Sequence, residues 1–171
     1  CLVHGEESFR MSTVLHHNVI VAAVDGGRTT DDVIDATIAA AHGYPCSEIH
    51  FVHIAEPLVV GVGEMPVRGT AELEAEGRKI LAGVVARTTG RFSGPVETHL
   101  ATTLAAAGIL ELAALLHASL IVVGTNGKQF LDRIALGSVS REVVHHARCA
   151  VLVARTPGYA KAEPAPIKEA S

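Results

Sequence analysis

The sequence predicts a single α/β domain, a parallel sheet with helices on both faces. Three observations predict it. Short runs of apolar, often β-branched residues recur between turn residues, as in NVIVAAV (18–24), EIHFVHI (48–54) and LIVV (120–123). Longer stretches between them carry apolar residues three and four apart, the spacing of one helix face. Of the 171 residues, 49% are apolar and only 4% aromatic. An alanine-, valine- and leucine-rich chain of this length suits buried parallel strands, close-packed helices and one real core.

Each element follows in order. Residues 1–13 have no periodic pattern and read as an N-terminal extension, with Met11 available as a natural start. The folded domain is expected over 14–155. Val14–Val24 reads as the first strand, buried from Asn18, and Asp25-Gly26-Gly27 ends it. Thr29 or Thr30 caps the first helix, and Asp31 and Asp32 suit its positive end. Ile34, Ile38 and Ala41 form its inner face, and Gly43-Tyr44-Pro45 stops it. Ser47–Ile54 is the second strand.

Glu56–Gly69 is a loop rich in proline and glycine, either a lid near the strand ends or a plain surface connection. Its Gly61-Val62-Gly63 is no dinucleotide fingerprint, because Pro66 stands where the third glycine belongs. Thr70–Thr89 is a long helix with Leu73, Gly77, Ile80, Leu81, Val84 and Val85 as its apolar stripe. Gly94–Ala101 is short and polar enough for a sheet edge. Thr102 or Thr103 starts the third helix, with Ile109, Leu112, Ala113 and Leu116 inward. Leu120–Val123 is the fourth strand. Ser138 caps a helix over Val139–Ala147 whose inner face is Val139, Val143, Val144 and Ala147. Ala150–Val153 is the last strand, and 156–171 reads as a flexible tail.

The passage out of the fourth strand carries the chemistry. Gly124, Gly127 and Gly137 punctuate a loop that enters a helix at Ser138. The first amides of a helix lack intrahelical partners, and the helix dipole makes that end positive. The amides after Ser138, with the Ser138 and Ser140 hydroxyls, are placed to hold phosphate oxygens. Gly124 and Gly127 would let the strand exit turn tightly beside a sugar. Asp25 lies at the carboxyl end of a central strand, where α/β ligands bind; it either touches the ligand or caps the turn.

Several function classes are excluded. A formal charge of −4 without a basic run argues against nucleic acid as partner. No apolar run approaches the ~18–20 residues that span a bilayer. Cys1, Cys46 and Cys149 are odd in number and far apart, which argues against a disulfide framework or zinc site and for a reducing cytoplasm. The ten histidines include no H-E-x-x-H, and His50 and His53 fall on opposite faces of a strand. No metal site is expected, and surface or strand-end positions account for the histidines. There is no G-x-x-x-x-G-K-[ST] either.

Gly124-x2-Gly127-x9-Gly137-Ser138, followed by VSREVVHHARCAVLV, resembles the ATP-binding signature and the last helix and strand of the universal stress protein family. The resemblance spans roughly Asn18 to Arg155. It implies a Rossmann-like, adenine-nucleotide α-hydrolase-like fold with strand order 3-2-1-4-5. It implies that ATP, or ADP or AMP, with Mg2+ as its companion, lies between strands one and four. Asp25 and the Ile54 main chain would hold the adenine side. Gly124 and Gly127 would flank ribose and phosphates, and Gly137, Ser138, Val139 and Ser140 would cradle the phosphates. Asn126 replaces an arginine common in ATP-holding members, and Lys128 would supply the charge. Should Lys128 point away, AMP or ADP would be preferred.

The family also implies a homodimer through the last strand, 150–154. Ala150 stands where proline is usual, Gly27 where serine is usual and Ser119 where aspartate is usual. No general base and no Walker-type magnesium site is apparent, so no dedicated enzyme is expected and any hydrolysis would be slow. The alternative is a dimeric interaction module without a nucleotide. An ATP pyrophosphatase is weaker still, because Asp25-Gly26-Gly27-Arg28-Thr29-Thr30 is no S-G-G-x-D-S-type loop.

Overall fold

A computed structural model describes residues 18–44, 47–56, 69–125 and 136–155. Nine elements alternate: β1 (Asn18–Ala23), α1 (Thr30–His42), β2 (Ser47–Ile54), α2 (Thr70–Thr88), β3 (Val96–Ala101), α3 (Ala105–Leu115), β4 (Leu120–Gly124), α4 (Ser138–His146) and β5 (Ala150–Ala154). The strands pair in parallel in the order β3-β2-β1-β4-β5, as expected. The expected readings of 1–17, 45–46, 57–68, 126–135 and 156–171 lie outside the described residues.

Strand alternation divides the core in two. Ile20, Ala22, Ile49 and Phe51 face α1 and α2, where Ile34, Leu81 and Val84 meet them. Val21, Val52, Ile121 and Val123 face α3 and α4, meeting Ile109, Ala113 and Val143. β3 lies at one edge of the sheet, as its polar residues predict.

Four expectations need correction. The strand ladder of β1 stops at Ala23, although the buried Val24 still donates to the Val52 carbonyl at 2.9 Å. α3 begins at Ala105, not at either threonine, because the Glu56 carboxylate accepts from the Ala105 N–H at 2.6 Å. The cap thus comes from a residue 49 positions away. α4 begins with Ser138 itself and Gly137 is its N-cap residue, without a side-chain cap bond. Val144 and Val85 are exposed, whereas Thr88 is buried through a bond from its hydroxyl to the Val84 carbonyl. Thr29 does occupy the N-cap position of α1, but its hydroxyl makes no capping bond.

Two predictions arise here. Glu56→Ala should cost about 1 kcal/mol, the usual worth of a helix cap, read as a lower midpoint in urea. Gly77 sits where α2 crosses β2 and β3. A Cβ there would lie 2.5 Å from Leu100 Cδ1 and 2.8 Å from His53 Cδ2. Alanine in a helix interior normally gains about 1 kcal/mol over glycine. Overpacking costs about 1–3 kcal/mol. Gly77→Ala is therefore expected to lower stability by about 1 kcal/mol, reversing the sign that helix propensity alone gives.

Candidate functional site

The site forms where β1 and β4, neighbours in the sheet, send their chains to opposite faces. The crevice is open to solvent, and the empty space within it and its mouth is about 680 Å³. Asp25, Ile54, Gly124, Gly137, Val139 and Ser140 line it. Ser138 stands exposed at the first position of α4. Gly127 and Lys128 lie outside the described residues. Thr29, Thr30, Val33, Val52, Ala105 and Ile109 also line the crevice. Of these, Thr29 and Thr30 carry a sequence signal, since polar residues that open α1 beside Asp25 must share its end of the sheet.

The start of α4 behaves as the loop physics requires. Arg141 is the first residue to reach an acceptor within the helix, the Gly137 carbonyl at 2.9 Å. The N–H groups of Ser138, Val139 and Ser140 precede it, so no carbonyl of the helix can receive them. One expectation changes. The buried Ser140 hydroxyl donates to the Gly137 carbonyl at 3.1 Å, so its proton is committed inside the turn. An anion there would meet the amides rather than that hydroxyl proton. The Arg141 guanidinium donates to the Leu136 carbonyl at 3.3 Å, which keeps a cation beside this turn.

At the opposite wall, Asp25 Oδ1 accepts from the Gly27 N–H at 2.7 Å and the Thr30 hydroxyl at 3.2 Å. The carboxylate thus stabilises the turn while Asp25 also lines the crevice. Gly27 permits this fold-back, since a Cβ there would approach Asp25 Oδ1 to 2.9 Å. Gly124 lines the crevice and has a packing role besides. It stays in register with Ala154 on β5, and a Cβ on it would meet Thr29 Oγ1 at 2.6 Å. Its missing side chain admits the first turn of α1.

Ile54 marks the end of β2. Ala55 donates to Ala101 on β3, so alternation turns the Ile54 N–H and carbonyl toward β1. β1 has already left the ladder there, and the Val24 carbonyl accepts instead from His53 Nδ1 at 2.8 Å.

Away from the crevice, burial pushes the half-buried Cys149 thiol up, against a smaller lowering by a hydrogen bond with the Ile121 backbone. It is poorly suited to redox chemistry. His50 and His53 do face opposite sides of β2, but both are buried rather than superficial. His99 is held below the usual histidine range by burial first and the His50 ring second, with Glu97 opposing.

The profile of the Universal stress protein family matches residues 17–155. Universal stress protein A homolog 1 of Coxiella burnetii is 31% identical over 148 residues, covering 81% of this chain and 96% of that relative. A universal stress protein family structure from Burkholderia pseudomallei is 27% identical, with a TM-score of 0.63 over 80% of this chain and 95% of that one. The Archaeoglobus fulgidus universal stress protein in complex with dAMP is 21% identical, with a TM-score of 0.61 over 82% and 98% of the two chains. At that identity the likeness concerns the fold alone.

Proposed function

The chain belongs to the universal stress protein family, and from that premise we propose that it binds an adenine nucleotide between β1 and β4 as a regulatory ligand. The observation that carries the reading is the start of α4, where the amides of Ser138, Val139 and Ser140 have no helix carbonyl to receive them and Val139 and Ser140 line the same crevice as Asp25 and Ile54. Those amides suit phosphate oxygens. The Ile54 main chain suits the edge of a purine, and Val52, Ile109 and Val139 offer it an apolar slot. The dAMP complex of a protein with the same fold supports an adenine ligand.

ATP, ADP or AMP fits this chemistry, with Mg2+ accompanying the longer phosphates. Gly127 and Lys128 would complete the phosphate side. Binding, not turnover, is the proposed activity. The output then comes from a change of shape or partner, in a stress response.

The test is direct. Protein purified without added nucleotide is denatured and the released small molecules are identified by mass spectrometry. Stripped protein is then titrated calorimetrically with ATP, ADP and AMP. Release of an adenine nucleotide, or binding at micromolar to low millimolar concentration, is the expected result. Neither would leave the alternative, an interaction module without a nucleotide.

That alternative shares one feature with the main reading, pairing of two copies through β5. This strand is the sheet edge opposite β3, and Leu152 is 38% exposed on it. Leu152→Asp should shift a dimer toward monomer in sedimentation equilibrium while the circular dichroism spectrum stays unchanged.

A further inference from the structure

We propose that His50, His99 and Glu97 form a binding site for a divalent transition metal, Zn2+ by its ligand chemistry, on the β2–β3 part of the sheet. The site is separate from the nucleotide crevice and does not depend on it.

Parallel register brings the residues together. His50 pairs with Glu97 across β2 and β3, and His99 is two residues further on the same face. His50 Nδ1 and His99 Nε2 are 2.9 Å apart, and His50 Nδ1 is 3.8 Å from Glu97 Oε2. One ligand atom from each of the three residues falls within a common 4.8 Å. Two nitrogens bound tetrahedrally to zinc stand roughly 3.3 Å apart, given Zn–N bonds of about 2.0–2.1 Å. The nitrogens stand about 0.4 Å closer than that, so to admit the ion the rings part by this amount and tilt until both lone pairs meet at it.

The second nitrogen of His50 makes the case stronger. His50 Nε2 lies 2.8 Å from Glu48 Oε1. An ionised carboxylate only accepts, so it fixes the proton on Nε2 and leaves the Nδ1 lone pair toward His99. A carboxylate behind a histidine is the arrangement that orients ligands around zinc. His50 is 3% exposed, so its ring is held in place, whereas Glu97 is exposed and keeps the outer side open. Without the ion, His99 Nε2–H donates to His50 Nδ1. With it, the His99 proton moves to Nδ1 and both facing lone pairs meet the metal. Three protein ligands leave a fourth position for water or a partner's ligand. Imidazole ligands favour zinc and its neighbours over Mg2+.

The test uses the full chain stripped by chelator. Calorimetry should give one Zn2+ per chain with a dissociation constant on the order of 10 µM or tighter. About 1 mM Mg2+ should not compete. Co2+ should produce the intense visible bands of a tetrahedral site. His99→Gln and Glu97→Ala should each weaken Zn2+ binding at least about tenfold, since loss of an orienting partner alone costs that much. Circular dichroism checks folding. Should His99→Gln fail to fold, the exposed Glu97→Ala decides alone. No binding at about 100 µM Zn2+, or Glu97→Ala binding as tightly as the natural chain, overturns the site. ATP titration of the stripped protein reports on the crevice independently, so failure of one reading is distinguishable from failure of the other.

Discussion

Ser138→Asp is expected to weaken adenine-nucleotide binding by about tenfold to a hundredfold, or about 1.4–2.8 kcal/mol, without loss of stability. The two effects have opposite signs for one physical reason. Ser138 is exposed at the first position of α4, where the helix dipole is positive. A carboxylate there stabilises the helix by about 0.3–1 kcal/mol. The same charge occupies the field that would otherwise hold phosphate, and repels it. Calorimetric titration with ATP at fixed ionic strength reads the first effect, and thermal unfolding of ligand-free protein reads the second. The loss in affinity should shrink as salt rises. Unchanged affinity would move the phosphates away from the start of α4.

Gly124→Val is expected to lower stability by about 2–3 kcal/mol and to abolish nucleotide binding at the same time. A Cβ on Gly124 would stand 2.6 Å from Thr29 Oγ1 and 3.1 Å from Thr29 Cβ, with Val33 Cγ2 at 3.4 Å. Thr29 is buried, so it has little room to yield. Valine fits a strand by propensity, so the whole cost comes from pushing α1 off β4. Thr29, Thr30 and Val33 all line the crevice, and the displacement reshapes it. Urea unfolding measures the stability change, and ATP titration measures the binding. If stability is unchanged while binding is lost, Gly124 serves the ligand and not the helix packing.

The contrast at Gly124 shows what the sequence conveys and what it does not. Alternating strands and helices gave the architecture, because their periods are local. The order of the strands came with the family resemblance. Asp25 was legible because a strand's carboxyl end is readable from where its apolar run stops, whereas Ile54 came with the family resemblance. A glycine, by contrast, records only that a side chain is unwelcome. Whether a ligand or Thr29 excludes it depends on which helix packs there.

The start of α3 was illegible for a related reason. Its capping carboxylate, Glu56, follows β2, while Thr102 and Thr103 offered a nearer and mistaken start. At α4 the small residue one place earlier, Gly137, took the cap position. The meeting of His50 with Glu97 and His99 needed the register of β2 against β3. A list of spacings along one chain contains no such information, so the histidines read as scattered.

The early departure of β1 has a consequence of its own. His53 claims the Val24 carbonyl, so the adjoining rung beside Ile54 is left incomplete. A flat heterocycle seated there would act as a one-residue splice in the sheet, matched by its hydrogen-bonding edge more than by its ring. Bases that present the wrong edge would then be rejected by peptide groups that no side-chain mutation can rewrite.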